Sequence, residues 1–249
     1  MRVILITGAS SGIGAATARA VAAPQTALVL HARKNRSGLE KVAAEAEAAG
    51  AETLIVEGDL AVPGTATGLV DEATTKFGRL DVVVSNAGFA DRRAFGDVDR
   101  AVLDASLAAM TGAFFDLATA AKPWLIKAGT AGRVIGVSSF VAHTFGRGIM
   151  TFPVSAAAKA GLEALARALA VDLAPSGVTV NCVAPGFTEK DAGAHVAAPR
   201  EAMEKIAAGI PMRRYGKTTE VAALIAFLAS PAAGYITGQT IHVNGGVTL

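Results

Sequence analysis

Residues 2–14 read RVILITGASSGIG, an apolar run that leads directly into a turn containing Gly8, Gly12 and Gly14. The apolar run predicts a strand buried on both faces of a sheet. The glycines let the backbone turn tightly and approach a diphosphate, and the helix that follows offers N–H groups and a positive dipole end to the anion. A glycine-rich turn between a strand and a helix therefore predicts a dinucleotide-binding site. The residues predicted to bind the cofactor here are Gly8, Ser10, Ser11, Gly12, Ile13 and Gly14.

The rest of the chain alternates short β-branched runs with longer Ala-rich stretches. The runs that read as strands are 2–7, 27–32, 52–57, 80–85, 133–139, 178–184 and 239–243. The stretches with apolar residues at helical spacing are 12–23, 39–50, 66–78, 103–129 and 156–174. This alternation predicts an α/β Rossmann fold, a doubly wound seven-stranded parallel sheet flanked by helices. The length of 249 residues fits a single domain, which we expect to span residues 1–249.

Composition excludes several classes of partner and site. The formal net charge of +2 is scattered along the chain, so there is no basic stripe for nucleic acid. Cys182 is the only cysteine, which rules out an intramolecular disulfide and a thiolate metal site and fits a reducing cytoplasm best. The N-terminus lacks a signal-peptide pattern, and no run approaches about 18 uninterrupted apolar residues. We therefore expect a cytoplasmic protein with no membrane segment and no metal.

The end of the second predicted strand indicates which dinucleotide is bound. Sites for NAD generally place a carboxylate there to accept from the ribose 2′-hydroxyl, whereas a 2′-phosphate requires a cation. This chain has Ala32, Arg33 and Lys34 at that point and no acidic residue. The sequence therefore favours NADP(H) over NAD(H), with Arg33 as the phosphate-binding side chain.

One irregular region follows the sixth predicted strand. Residues 186–217 are rich in Gly, Pro and charge, and they follow a strand whose carboxyl end faces the ligand cleft of an open α/β sheet. We expect this segment to form a lid. Its residues Phe187, His195, Met203 and Met212 predict a partly apolar pocket.

Seven short motifs, taken in order, resemble the short-chain dehydrogenase/reductase family over nearly the whole chain. They are TGASSGIG (7–14), GDL (58–60), NAG (86–88), VSS (137–139), AAAKAGL (156–162), VNCVAPG (180–186) and YITGQTIHVNGG (235–246). The bacterial 3-oxoacyl carrier-protein reductases are the members most similar in character. The resemblance implies an oxidoreductase that acts on a small-molecule carbonyl or alcohol.

The resemblance also implies further cofactor contacts. Asp59, with Leu60 beside it, would bind the adenine, and Asn86 would support the central strand. The remaining predicted cofactor-binding residues are Ala87, Gly88, Lys159, Pro185, Gly186 and Thr188, of which the last three would line the nicotinamide pocket.

The catalytic set implied by the family is incomplete in this chain. Hydride transfer to a carbonyl leaves an alkoxide that must be protonated, and in the family a tyrosine supplies the proton. Ser139 and Lys159 occupy the serine and lysine positions, but Ser155 occupies the tyrosine position. No shift of alignment repairs this, since the nearest ring, Phe152, has no hydroxyl. Ala109 stands where the family's proton relay has asparagine.

Three hypotheses account for Ser155. In the first, water held by Ser139, Ser155 and Lys159 relays the proton, because a serine hydroxyl is a weaker acid than a phenol of pKa about 10 and reaches roughly 4 Å less far. A substitute acid could instead come from His143 or Arg147, in a segment about three residues longer than the family's, or from Tyr215 or His195 near the lid. The second hypothesis is a non-catalytic NADP(H)-binding protein, and the third is an engineered Tyr→Ser change.

The predicted helix at 156–174 is apolar almost all round, more than one buried face requires. In the resembling family this helix and the one before it pack against a second subunit. We therefore expect a homo-oligomer, either a tetramer or a dimer.

Overall fold

The seven strands of the described residues form one parallel sheet. The computed structural model describes residues 1–145, 151–189 and 200–249. The strands are β1 (Arg2–Thr7), β2 (Thr26–Ala32), β3 (Glu52–Glu57), β4 (Val82–Ser85), β5 (Arg133–Val137), β6 (Thr179–Pro185) and β7 (Thr240–Val243). They lie in the order β3-β2-β1-β4-β5-β6-β7. The predicted single-domain Rossmann fold with seven strands is confirmed.

Helices cover both faces of this sheet. They are α1 (Gly12–Val21), α2 (Arg36–Ala48), α3 (Thr65–Phe77), α4 (Arg100–Ser106), α5 (Ala113–Ala128), α6 (Pro153–Leu173), α7 (Arg200–Gly209) and α8 (Thr218–Ala229). A π-helical segment, Leu107–Gly112, joins α4 to α5. The predicted helix at 103–129 is therefore interrupted, and α7 and α8 were not among the predicted helices.

Alternate residues of each strand face opposite layers of the core. In β1, Val3 and Leu5 pack with α3, α5 and α6, whereas Ile4 and Ile6 pack with α1, α2 and α8. Both layers exclude water, which explains why the strands are continuous apolar runs rather than alternating ones. Helix α8, which the sequence analysis missed, supplies Ile225 to the second layer.

The sheet order places a cleft at the carboxyl ends of β1 and β4. The chain runs outward from β1 to β2 and β3, then returns across the sheet to β4. The loops after β1 and β4 consequently diverge, and in open α/β sheets ligands bind in the crevice between such loops. The glycine-rich turn after β1 opens into this crevice.

The helical run through α4 and α5 is unusually apolar. Arg100–Ala131 is long and apolar enough to cross a membrane by length and composition alone, and 33% of its most apolar window is buried in the fold. Core helices of globular proteins can pass the same test. In this fold, Phe114 and Leu117 of the run pack into the core, while Phe115 and Ile126 remain exposed.

Candidate active site

The glycine-rich turn has the geometry of a phosphate cradle. Gly8 and Gly12 have φ angles of +66° and +57°, a region that side chains rarely adopt. A Cβ atom at Gly14 would lie 2.2 Å from the Gly8 carbonyl oxygen, so only glycine fits where α1 begins. Among the described residues, the Ser11 hydroxyl at the helix N-cap makes no capping hydrogen bond. Ser10 lies in the turn, and Ile13 packs against the core.

Asn86 joins the turn after β1 to the end of β4. Its side-chain amide donates to the carbonyl oxygens of Thr7 at 2.9 Å and Gly8 at 3.2 Å. The Thr7 hydroxyl in turn accepts from the backbone N–H groups of Asn86 at 2.9 Å and Ala87 at 3.0 Å. These bonds fix the two sides of the crevice relative to each other.

The turns after β2 and β3 bring the guanidinium of Arg33 close to the carboxylate of Asp59. A guanidinium nitrogen of Arg33 lies 3.8 Å from a carboxylate oxygen of Asp59, and the Arg33 side chain is 66% exposed. The other Asp59 oxygen accepts from the N–H of Ala61 at 3.0 Å. Leu60, beside Asp59, buries its side chain in the core. The exposed guanidinium is therefore available to an anion at the rim of the crevice.

Lys159 is held deep in the site by α6. Its ammonium donates to the carbonyl oxygen of Val137, at the end of β5, over 2.7 Å. Burial lowers the pKa of Lys159 to about 8, while the negative charge of Glu163 acts in the opposite direction. Gly88 lies beside this ammonium, since a Cβ atom there would lie 3.1 Å from Nζ. The pKa of the Cys182 thiol is raised by burial to about 12, so this cysteine stays neutral.

Ser139 caps a 3-10 turn that packs against the first turn of α6, where Ser155 lies. Ser139 follows β5 and caps the 3-10 turn Phe140–Ala142, accepting from the N–H of Val141. Ser155 lies in the first turn of α6 and is buried, and its hydroxyl oxygen accepts from the N–H of Asp91 at 2.8 Å. Within residues 1–145, 151–189 and 200–249, the Ser155 hydroxyl has no acceptor for its own proton, which it can therefore donate to a bound molecule.

The position predicted to replace the family asparagine falls within the π-helical segment. Ala109 lies there and is partly buried. The Thr111 hydroxyl in the same segment donates to the Ala158 carbonyl oxygen at 2.8 Å, next to Lys159. Single π-helical turns are rare and often occur at functional sites. The helix is therefore distorted at Ala109, whose side chain is a methyl group.

The segment after β6 carries the residues predicted for the nicotinamide pocket. Pro185 ends the strand, Gly186 donates to the Val243 carbonyl at 3.0 Å, and the Thr188 hydroxyl donates to the Gly186 carbonyl at 3.2 Å. A Cβ atom at Gly186 would lie 2.7 Å from the backbone of Asn244, so the strand ends pack closely here.

Aromatic rings cover this end of the sheet. The Phe187 ring lies 4.6 Å from that of Phe140 and 5.9 Å from that of Tyr215, measured between centroids. A backbone bridge between Thr188 and Gly216 holds Tyr215 beside this segment. Burial raises the pKa of Tyr215, and Arg92 opposes that effect. Of the other predicted lid residues, Met203 is partly buried in α7 and Met212 is exposed, while His195, like Arg147, lies outside the described residues.

A buried carboxylate was missed in the sequence analysis. Glu163 of α6 accepts from the Ser138 hydroxyl and lies 2.8 Å from Nε2 of His143. Only 3% of Glu163 is exposed. The available signal was its position four residues after Lys159, on the same helix face. His143, predicted as a substitute acid, is thus bound to a carboxylate rather than isolated in a loop.

Comparison with known proteins places the chain among oxidoreductases. The family model described as enoyl-(acyl carrier protein) reductase matches residues 8–248. A 3-oxoacyl-[acyl-carrier-protein] reductase from Synechocystis sp. is 39% identical, with 100% of this chain and 97% of that protein covered. An uncharacterized oxidoreductase from Mycobacterium tuberculosis is 36% identical, with 100% of this chain and 92% of that protein covered.

Two solved structures of short-chain dehydrogenases superpose closely on this chain. A short-chain dehydrogenase/reductase from Serratia marcescens superposes with a TM-score of 0.91 at 29% identity, covering 100% of this chain and 98% of that one. A short chain dehydrogenase from Burkholderia cenocepacia in complex with NADP superposes with a TM-score of 0.90 at 32% identity, with the same coverage.

Proposed function

The chain belongs to the short-chain dehydrogenase/reductase family of oxidoreductases, and from that premise we propose that it transfers hydride between NADP(H) and a carbonyl/alcohol pair with an atypical proton donor. The observation that carries the proposal is the position of Lys159. Its buried ammonium lies beside Gly88 of the loop after β4, and it is bonded to the end of β5. A buried ammonium is unfavourable for the fold, so its retention at the cleft supports a chemical role.

Arg33 supports NADP(H) as the cofactor. Its side chain is largely exposed just after β2, and the last residue of that strand, Ala32, has no carboxylate that would accept from a ribose 2′-hydroxyl. Arginine binds phosphate through a planar fork of N–H donors. Asp59 lies 3.8 Å from Arg33 and would bind the adenine side of the cofactor while orienting the guanidinium.

The bound nicotinamide would supply the hydride, and the side chains of this chain would manage the proton. Ser139 would hold the substrate oxygen. Ser155 accepts a hydrogen bond from the N–H of Asp91. Its own hydroxyl proton would be donated to a water molecule that bridges Ser155 to the substrate oxygen. The ammonium of Lys159, on the same face of α6 as Ser155, makes that water more acidic.

The second candidate is a non-catalytic NADP(H)-binding protein. It is favoured by the combined replacement at Ser155 and Ala109, which removes two side chains of the family's proton path. In that case Lys159 would persist only to bind the cofactor ribose.

The experiment that separates the two candidates measures oxidation of NADPH, and of NADH in parallel, against a broad panel of carbonyl compounds. We expect the native protein to turn over at least one of them, faster with NADPH. Ser155→Tyr should be equally active or slower, because a ring at a buried position that is bonded to Asp91 overfills the site.

Ser155→Ala is the matched variant, since it removes the hydroxyl without filling the space. It should lose most of the turnover, on the order of 10²-fold or more if Ser155 holds the proton donor. If the native protein shows no turnover and activity appears only in Ser155→Tyr, the protein is instead a reductase that has lost its catalytic activity.

The proposal includes a cytoplasmic homo-oligomer, a dimer or tetramer, with a lid formed by residues 186–217. Phe115, Ile126 and Val171 are exposed apolar side chains of α5 and α6, which supports a subunit interface on this face. The Thr188–Gly216 bridge ties the two ends of the lid segment together. Light scattering should give a mass of at least two chains, and a single-chain mass would contradict the assembly.

A further inference from the structure

His31 is a buried polar side chain near the carboxyl end of β2. It is the second-last residue of that strand and is only 2% exposed. Ala27 and Val29, at alternate positions of the same strand, pack in the layer that contains α3 and α5. Because side chains alternate along a strand, His31 continues this apolar row on the same face of the sheet. An imidazole in such a row is costly unless its nitrogens are hydrogen-bonded.

One ring nitrogen of His31 is hydrogen-bonded and the other is not. Nε2 lies 2.9 Å from the carbonyl oxygen of Gly58, in the loop after β3. A carbonyl oxygen only accepts, so Nε2 carries the proton and Nδ1 is an acceptor. Nδ1 is buried and has no hydrogen-bond partner among the residues that the structure describes. Burial lowers the pKa of His31, while the Gly58 bond and the charge of Asp59 oppose this, so the ring is neutral at pH 7.

The imidazole therefore makes a single side-chain hydrogen bond. A leucine at this position would fill similar space and would leave no unpaired acceptor in the core. Gly58 is partly exposed, so its carbonyl oxygen does not depend on His31 to avoid burial without a partner. What the bond fixes is the orientation of the peptide group between Gly58 and Asp59.

That peptide group leads into the residues proposed to bind the adenine. The Asp59 carboxylate lies 3.8 Å from the Arg33 guanidinium and accepts from the N–H of Ala61 at 3.0 Å. Leu60 follows and is buried. Rotation of the peptide after Gly58 would displace Asp59 and Leu60 together. It would also change the distance between Asp59 and Arg33.

The backbone of His31 is bonded to the phosphate-binding turn. Its carbonyl oxygen accepts from the N–H of Ala9, the residue after Gly8, at 2.8 Å. The next carbonyl, that of Ala32, accepts from the N–H of Gly58 at 3.2 Å. Strand β2 lies between β1 and β3, so the loops that follow its two neighbours meet at its end. His31 thus contacts the turn after β1 through its backbone and the loop after β3 through its side chain.

We propose that His31 sets the position of the adenine loop, residues 58–60, relative to the phosphate turn, residues 8–14, and is a positioning residue for the adenosine half of NADP(H). The inference rests on the proposed binding of this cofactor and is independent of the proton donor. A dinucleotide spans both loops, and a loop already held in its binding conformation costs less to order. His31 acts through Gly58 and is itself buried.

The test is the affinity of His31→Leu for NADPH, measured by fluorescence titration, together with its stability in urea. We expect the Kd for NADPH to rise about tenfold, because the peptide after Gly58 loses the hydrogen bond that orients it. The free energy of unfolding should stay the same or increase, since the unpaired Nδ1 is removed as well. A histidine that only supported the fold would give the opposite result, a loss of stability with unchanged affinity.

Two amide variants separate the two ring nitrogens. His31→Gln places its amide close to the position of Nε2, so it can donate to Gly58 and should bind NADPH within about threefold of the native protein. His31→Asn places its amide close to the position of Nδ1, too short to reach Gly58, and should show the loss. This comparison decides the question even if His31→Leu does not fold.

Thr179→Val is the matched control. Thr179 lies at the start of β6, at the amino end of the sheet, and is buried. Like Nδ1 of His31, its hydroxyl oxygen has no hydrogen-bond partner within the described part of the chain. The substitution also removes an unpaired buried polar atom, so it should raise or maintain stability and leave the Kd for NADPH unchanged.

A second ligand locates the effect within the cofactor site. Adenosine 2′,5′-bisphosphate contains the adenosine half of NADPH and lacks the nicotinamide. Its affinity should fall in His31→Leu and His31→Asn by the same factor as that of NADPH. Long-range ¹H–¹⁵N spectra of the histidine-labelled native protein should show His31 protonated at Nε2 and bare at Nδ1 at pH 7.

Each outcome decides one question. Unchanged affinity in His31→Asn, a loss of affinity in His31→Gln equal to that in His31→Asn, or a loss for NADPH alone would overturn the positioning role. Each of these results would leave the proposed function intact. A native protein that binds neither NADPH nor adenosine 2′,5′-bisphosphate would overturn the proposed function itself, and the inference with it.

Discussion

Gly14→Ala is expected to abolish binding of NADPH and to destabilise the fold. The added Cβ would lie 2.2 Å from the Gly8 carbonyl oxygen and 2.6 Å from the side-chain nitrogen of Asn86. Neither atom can move aside, because the Gly8 oxygen belongs to the backbone and the Asn86 amide is held by its hydrogen bonds to Thr7 and Gly8. Helix α1 must therefore move away from β1 and take its N–H groups with it. We expect the Kd for NADPH to rise at least 100-fold, about 2.7 kcal/mol, and the free energy of unfolding to fall by about 1–3 kcal/mol.

Gly68→Ala is the matched control for this prediction. Gly68 lies inside α3, and among the described residues nothing lies within 4 Å of a Cβ built there. The substitution should leave NADPH affinity unchanged and stabilise the helix by about 0.4–1 kcal/mol. Fluorescence titration with NADPH and chemical unfolding measure both quantities. Tight NADPH binding by Gly14→Ala would show that the turn after β1 is not the phosphate site.

The strands could be predicted from the sequence because burial on both faces restricts their amino-acid composition. Strands covered on both faces contain few polar residues, so β1, β2 and β4 to β6 stand out as short apolar runs between helical stretches. Helix α8 was missed for the opposite reason. Thr218–Ala229 is apolar at nearly every position after Glu220, so no helical period is visible, and an apolar run alone does not distinguish helix from strand.

The π-helical segment could not be predicted from the sequence either. Its hydrogen bonding depends on tertiary contacts such as the Thr111 hydroxyl on the Ala158 carbonyl, which come from another helix. Glu163 is a similar case. Its spacing from Lys159 was visible, but its burial depends on Ser138 and His143, which only the folded sheet brings to it.

Lys159→Met is expected to inactivate the protein while stabilising its cofactor-free form. Turnover should fall by about 10²–10⁴-fold, because the ammonium that makes the proton donor more acidic is lost. Burial lowers the pKa of Lys159 from 10.5 to about 8, so the folded state holds this charge less readily than the unfolded state does. The difference corresponds to about 3 kcal/mol of destabilisation at neutral pH. Loss of the donor to the Val137 carbonyl offsets about 1–3 kcal/mol of the gain, so the net stabilisation at neutral pH should be about 0–2 kcal/mol.

The pH dependence identifies the cause of that stabilisation. Below pH 8 the lysine is protonated in both states, and its full penalty is present. Between about pH 8 and 10.5 the folded state releases the proton first, so the native protein gains stability as pH rises. The advantage of Lys159→Met in urea unfolding should therefore shrink between pH 7 and pH 9.5. Lys41→Met removes an exposed charge from α2 and should change stability by less than about 0.5 kcal/mol at either pH. An advantage of Lys159→Met that does not vary with pH would mean that packing of the methionine, rather than removal of a buried ammonium, stabilises the variant.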